Sequence, residues 1–278
     1  MELKHMIYHR IARFLLPATV LVAVTQSVHA QGGISSPEDR PLPTKQFVLD
    51  LGGGAMFKSK YPGADSYLFY PFPIIAVGRF YVPGLGQVVD GNKVKRGSYF
   101  YPSFDFNGQR KASDSSDLTG TNTIDWALEL GLGAGYRYDW LRGFVELRQG
   151  INGHQGQVAD FGIDFITNPI DRLEVIFGPR ASWASDDYME TYFGVTAAEA
   201  AAPGSILSAF SADSGFKTVG LAARANYAWN EKTTFHLQSG WDRFVGDAEM
   251  SPIVKAGSED QFSIGVGISY RFAFDVFD

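Results

Sequence analysis

Between positions 262 and 274 every second residue is apolar or aromatic: Phe262, Ile264, Val266, Ile268, Tyr270, Phe272 and Phe274. The residues between them, Ser263, Gly265, Gly267, Ser269, Arg271 and Ala273, are small or charged. A period of two held over this length specifies a β-strand with one greasy face and one polar face. The pattern returns at 124–138, where Ile124, Trp126, Leu128, Leu130, Leu132, Ala134, Tyr136 and Tyr138 alternate with Asp125, Ala127, Glu129, Gly131, Gly133, Gly135 and Arg137. A strand of about 9–11 residues, apolar outward and polar inward, is the unit that crosses a membrane in a closed barrel.

Composition agrees where it bears on this. Mean hydropathy is −0.08, which excludes a bundle of membrane-spanning helices but suits a barrel, whose hydrophobicity alternates. The chain has no Cys, so disulfides and thiolate metal sites are excluded. A net charge of −6 argues against nucleic acid as a partner. The start reads as a processing segment. Lys4, Arg10 and Arg13 precede an apolar run at 14–24 that is too short to span a bilayer, and Val28-His29-Ala30 offers a cleavage site before Gln31. The expected organisation is a signal peptide over 1–30, a flexible Pro-rich leader over 31–45, and a barrel over 46–278.

Alternation and turn signals predict an all-β fold, a closed antiparallel transmembrane β-barrel of about twelve strands. These are expected at 47–57, 68–78, 80–89, 94–106, 124–138, 141–149, 158–167, 173–183, 188–195, 216–229, 233–245 and 261–275. The even count suits a single-chain barrel with both termini on one side. It also puts the polar loop at 107–122 on the side of the termini, where short turns are expected. Asp90-Gly91-Asn92 reads as a hairpin turn, Pro179 predicts a bulge inside its strand, and the Ala-rich run at 197–202 suggests a helical turn in the longest loop.

The alternation assigns charges of both signs to the inner face: Asp125, Glu129, Glu146, Asp160, Asp164, Glu174 and Asp242 with Arg137, Arg142, Arg148, Arg180 and Arg224. These residues fit either a selective channel or a self-neutralising network that fills a narrow lumen. Mixed signs favour pairing, because unpaired buried charge is costly. Gly131-Leu132-Gly133-Ala134-Gly135 mimics a dinucleotide loop but lies mid-strand with no helix after it. Past the leader only His154 and His236 are available as bases, and no Ser or acid marks itself as their partner, so catalysis is not expected. Asp186-Asp187 and the acids at 114–117 read as solvated loops rather than a cation site. No cofactor or metal is implied.

Four blocks carry a family resemblance. They are Tyr61-Pro62-Gly63-Ala64-Asp65 with Pro71-Phe72-Pro73, the stretch 188–195 followed by Glu199-Ala200, the segment 243–253 containing Gly246-Asp247 and Ser251-Pro252-Ile253, and Tyr270-Arg271-Phe272. Together they resemble the MipA/OmpV outer-membrane proteins over nearly the whole chain after the leader. The resemblance implies a non-enzymatic barrel of the Gram-negative outer membrane, in contact with outer-membrane lipid. It further implies a scaffold that brings a lytic transglycosylase together with a murein synthase in peptidoglycan remodelling. A small-solute channel and a surface adhesin remain as alternatives. Tyr270 and Phe272 would be the assembly signal, although this chain runs six residues past Phe272.

Overall fold

The computed structural model describes residues 42–90 and 96–277. The expected signal peptide, its cleavage point at Ala30 and Gln31, the leader up to residue 41 and the Gly91-Asn92 turn lie outside the described residues. No described helix is long and apolar enough to cross a membrane.

Eleven strands form among the described residues: β1 (Phe47–Ser59), β2 (Tyr67–Val82), β3 (Gly86–Asp90), β4 (Arg96–Asn107), β5 (Ala127–Tyr138), β6 (Leu141–Asn152), β7 (Gln157–Ile170), β8 (Leu173–Ala184), β9 (Gly215–Ala228), β10 (Thr233–Phe244) and β11 (Asp260–Phe274). They make one curled antiparallel sheet in the order β3-β2-β1-β11-β10-β9-β8-β7-β6-β5-β4. The first and last full strands are joined, from Phe47 opposite Phe274 to Lys58 opposite Ser263. Among the described residues no ladder joins β2 to β4.

The strand expected at 188–195 is instead a helix, α1 (Asp186–Phe193). Ser185 stands at its N-cap, and Asp186 and Asp187 lie in its first turn, where the helix dipole favours acids. Tyr188, Met189, Tyr192 and Phe193 are spaced for one helical face, and all four are buried. Losing that strand changes the count. The side of the 107–122 loop is corrected further upstream. β2 runs through the break expected at 79 and turns only at 83–85, and the ladders make β3 and β4 run in the same direction, so the loop lies at the end opposite the short turns. Connections on the side of the termini are short, at 83–85, 139–140, 171–172 and 229–232. The long ones, at 60–66, 108–126, 185–214 and 245–259, gather at the opposite end with the short link at 153–156.

Burial is inverted relative to a soluble protein. Leu132 is 71 % exposed and Phe100 82 %, whereas Glu129 is 1 % exposed and Glu174 not at all. Apolar side chains outward and charges inward is the arrangement a lipid solvent requires. Aromatic pairs ring the outer face at both levels. Near the termini Phe47 stacks on Phe274 at 5.4 Å and Trp140 on Phe165 at 6.1 Å. Near the long loops Phe57 stacks on Tyr67 at 5.0 Å and Phe106 on Trp126 at 6.1 Å. Between them run aliphatics such as Leu132, Leu147, Ile163 and Val266. Two aromatic girdles about an apolar band mark the two membrane interfaces of a barrel.

Pro179 does not shift the register of its strand. The β7–β8 ladder keeps step on either side, at Gly162 opposite Arg180 and Phe165 opposite Phe177, but has no partners in between. Proline lacks the N–H that would serve Ile163. The guanidinium of the next residue does so instead, Arg180 donating to the Ile163 carbonyl at 3.1 Å. A gap patched by a side chain therefore replaces the expected bulge.

Candidate functional site

The inner face is wired by hydrogen-bonded ion pairs. Arg148 on β6 is the hub. Its guanidinium donates to Glu129 of β5 at 3.0 Å, to Glu146 at 2.8 Å and to Asp160 of β7. Glu146 also accepts from Tyr101 at 2.9 Å and Ser103 at 2.7 Å on β4, and Asp160 accepts from Ser182 on β8. One cation thus ties together five strands. A second cluster centres on Asp164, which accepts from Arg142 at 2.8 Å and from Arg180 at 2.5 Å. The glycines of β5 make room for it all. A Cβ on Gly133 would lie 2.3 Å from the ring of Tyr101, so only glycine lets that tyrosine cross to Glu146.

Nearer the termini, Glu174 accepts from Asn226 at 2.9 Å. His236 sits between Asn226 at 2.9 Å and Ser269 at 2.8 Å. The order Ser–His–Asn is one that nucleophilic catalysis uses. Here Ser269 is 3 % exposed and Asn226 wholly buried, so the array fixes the imidazole within the wall rather than presenting a nucleophile. Asp50 on β1 and Arg271 on β11 close the series with bonds of 2.8 and 2.7 Å. Of the charges assigned inward by alternation, Arg137 and Arg224 are buried on the same face, Arg137 bonding the Asp139 carbonyl at 3.2 Å. Asp242 lines a cavity described below. Asp125 falls outside this set: it is exposed just before β5 and accepts from the backbone of Trp126.

The sequence blocks behind the family resemblance converge at the long-loop end, apart from Tyr270 and Phe272, which lie outward on β11 toward the termini, and Pro71 and Pro73, which lie within β2. Tyr61 and Ala64 from the β1–β2 loop pack with Leu118, Val195, Leu207 and Ile253, one or more residues from each of the four long loops. Gly63, at φ 93°, turns the chain so that its carbonyl accepts from Ser258 at 2.8 Å. Its missing Cβ admits Val254, which would lie 3.0 Å away. Val254 belongs to a short helix, Pro252–Ala256, capped by Ser251 with Pro252 at its first position. Ser251 also donates to the Phe193 carbonyl of α1 at 2.6 Å. Asp247, beside Gly246, accepts from the backbone of Asp213 at 2.8 Å, while Pro62 is half-buried and Asp65 exposed. These residues build a cap over the inner face.

Under the cap lies a cavity of about 190 Å³, lined by Lys58, Lys60, Tyr61, Tyr70, Arg110, Tyr188, Tyr192 and Lys217 with Asp242. Lys217 lies over the ring of Tyr188 at 5.4 Å. His154 sits beneath, its Nε2 3.3 Å from Glu129 and its ring 4.9 Å from that of Tyr188. Burial pushes the hydroxyls of Tyr188 and Tyr192 well above the ordinary tyrosine range. The alternation rule did not single out Lys217, Arg110 or Asp50, although it placed Arg271, the partner of Asp50, on the polar face of the last strand. Asp50 and Lys217 were legible as polar residues inside alternating runs; Arg110 lies in a loop, where no periodicity speaks.

Comparison with known proteins gives one family match. The model of "MltA-interacting protein MipA" matches residues 51–272. None of the curated proteins matches the chain. Among solved structures, the neisserial surface protein NspA is 10 % identical, covering 82 % of this chain and 98 % of its own, with a TM-score of 0.27. The outer membrane protein OprG from Pseudomonas aeruginosa is 9 % identical, covering 82 % and 97 %, with a TM-score of 0.22. At those scores neither likeness carries an argument about this chain.

Proposed function

The chain belongs to the MltA-interacting protein family, MipA, and from that premise we propose that this outer-membrane β-barrel protein is a non-enzymatic scaffold for peptidoglycan remodelling. Its partners are a lytic transglycosylase and a murein synthase. The chain is exported by the signal peptide 1–30 and closes into a barrel by bringing β2 beside β4. The assembly machinery reads Tyr270 and Phe272. The observation that carries the reading is the filled inner face. Arg148, Glu129, Glu146 and Asp160 leave side-chain exposures of 1–5 %, too little water for a conducting path. A plugged barrel serves as a surface rather than as a pore.

Short turns and termini belong on the periplasmic side of such barrels. The scaffold surface is therefore the end bearing Trp140, Arg172, Trp229, Lys232 and the Lys45–Asp275 pair at 2.7 Å. The motif-rich cap faces outward from the cell. The full-length protein in lipid nanodiscs is expected to retain a lytic transglycosylase after crosslinking, and Arg172→Glu with Lys232→Glu to weaken that retention. Repeated crosslinking that returns no murein enzyme would refute the scaffold. Defined conductance steps in planar bilayers would restore the channel reading. Loss of surface attachment on deleting 197–212 would favour an adhesin.

A further inference from the structure

The cavity under the cap borders the stretch of wall that, among the described residues, has no ladder. Tyr70 of β2 and Asn107 at the end of β4 both line it, and between those strands lies the unpaired edge. Three prolines stand on that edge. Pro71 and Pro73 lie on the outward row of β2 with Phe69 and Ile75, and Pro102 lies on the outward row of β4 with Phe100 and Phe104. The β1–β2 ladder runs unbroken through Pro71 and Pro73, and the β4–β5 ladder through Pro102. Pro179, by contrast, breaks the ladder its nitrogen faces. In an antiparallel strand, residues of one row send their backbone groups to the same side. The nitrogens of all three edge prolines therefore face the gap, where proline is tolerated because no partner needs the N–H. They also ensure that β2 and β4, brought together, form an incomplete ladder at mid-height.

The cavity behind this seam is basic and aromatic. Lys58, Lys60, Arg110 and Lys217 line it against the single carboxylate of Asp242, and Asp114 answers Lys60 from the loop after β4. Tyr192, 2 % exposed, leaves its hydroxyl without a hydrogen-bond partner, as Arg110, 5 % exposed, leaves its Nε. Buried polar groups of this kind ordinarily have a partner. The cavity lies level with the aromatic girdle formed by Phe57, Tyr67, Phe106 and Trp126, where lipid headgroups sit.

We propose that the β2/β4 seam is a lateral entrance from the bilayer and that the cavity holds the anionic head of a membrane amphiphile. Its chain lies along the proline-broken seam. Lys217 and Arg110 supply charge, Tyr192 donates its free hydroxyl, and the three prolines remove backbone donors that hydrocarbon lying along the seam could not satisfy. The inference rests on the outer-membrane reading and is independent of the scaffold role.

Binding to the full-length protein in nanodiscs tests it, with dodecyl phosphate, inorganic phosphate and dodecyl maltoside as probes. Dodecyl phosphate should bind at least about tenfold more tightly than inorganic phosphate, since as few as two buried methylenes supply that factor. It should also bind more tightly than the uncharged maltoside. Lys217→Gln and Tyr192→Phe should each weaken it about tenfold, the scale of a hydrogen bond to a charged group. Pro71→Val, Pro73→Val and Pro102→Val together restore donors to the seam and should slow entry of dodecyl phosphate without slowing inorganic phosphate. Equal affinity for the two phosphates, with no effect of the proline changes, would mean a soluble anion entering through the cap and would overturn the lateral entrance. Equal affinity for the maltoside, no binding of any probe, or insensitivity to both Lys217→Gln and Tyr192→Phe would overturn the site.

Discussion

Arg148→Met tests the central claim that the inner face is dry and wired. Methionine matches the arginine stem as far as Nε and removes the guanidinium with its charge and donors. Three carboxylates, Glu129, Glu146 and Asp160, then face one another without their shared cation, with side-chain exposures of 2 %, 1 % and 5 %. Removing one partner of a buried pair costs about 3–5 kcal/mol, because the remaining charge stays desolvated. For a domain of this size about 1 kcal/mol moves the melting temperature by about 2–4 °C, so a fall of about 6–20 °C is expected. Urea unfolding in lipid vesicles should show the same loss as a lower midpoint at unchanged slope. Adding Glu129→Gln, Glu146→Gln and Asp160→Asn should recover most of it, since a wholly neutral cluster no longer buries unpaired charge. A loss below about 1 kcal/mol, the scale of solvent-exposed ion pairs, would refute the reasoning. It would mean that water reaches the cluster, and with it the possibility of conduction.

The remaining predictions concern packing, the cap and pH. Gly133→Val should prevent formation of the heat-modifiable barrel on cold gels, because a Cβ there would lie 2.3 Å from the Tyr101 ring, whereas Gly143→Ala, with nothing within 4 Å, should fold normally. Ser251→Ala removes the helix cap and the bond to Phe193. It should destabilise the cap by about 1–2 kcal/mol, read as faster proteolysis within 185–214 while the strands stay resistant. Tyr188 and Tyr192 have hydroxyl pKa values raised by burial above the unfolded value of about 10. The folded state therefore holds protons that the unfolded state has lost, and stability contributed by these groups disappears as pH rises beyond about 10. Absorbance titration should show late-titrating tyrosines, two of which are lost in Tyr188→Phe with Tyr192→Phe, and the titration of those two should coincide with increased protease sensitivity of the cap.

The strands were readable because their two faces meet different solvents. Ile124 to Tyr138 and Phe262 to Phe274 carry that contrast at every position, and the inward charges followed from it. What the alternation could not supply is partnership. His236 looked isolated because Ser269 and Asn226, its neighbours in space, lie on two other strands and carry no mark in sequence. The stretch 188–195 failed for a different reason. Its aromatic residues pass for a short strand unless Ser185-Asp186-Asp187 is weighed as a helix start, and Asp125 was drawn inward by extending an alternation past the true start of β5 at Ala127. Pro179 was seen to be a problem for a ladder, but its remedy depends on where the Arg180 side chain reaches.

The pairing of β1 with β11 has a consequence for how the chain is threaded. In an up-and-down ring one expects the break in the polypeptide and the break in the hydrogen bonding to coincide. Here Phe47 and Phe274 lie opposite one another and Lys45 is bound to Asp275, so the first and last described strands are fastened side by side. The interruption in the wall falls between strands that follow one another inside the sequence. A circular permutant that links residue 277 to residue 45 by a short flexible joint, and opens the chain at 83–85, would move the termini to the interruption without crossing any ladder but that between β2 and β3. The last hydrogen bonds to form in such a molecule would then be those at its ends, as they are not in the natural order.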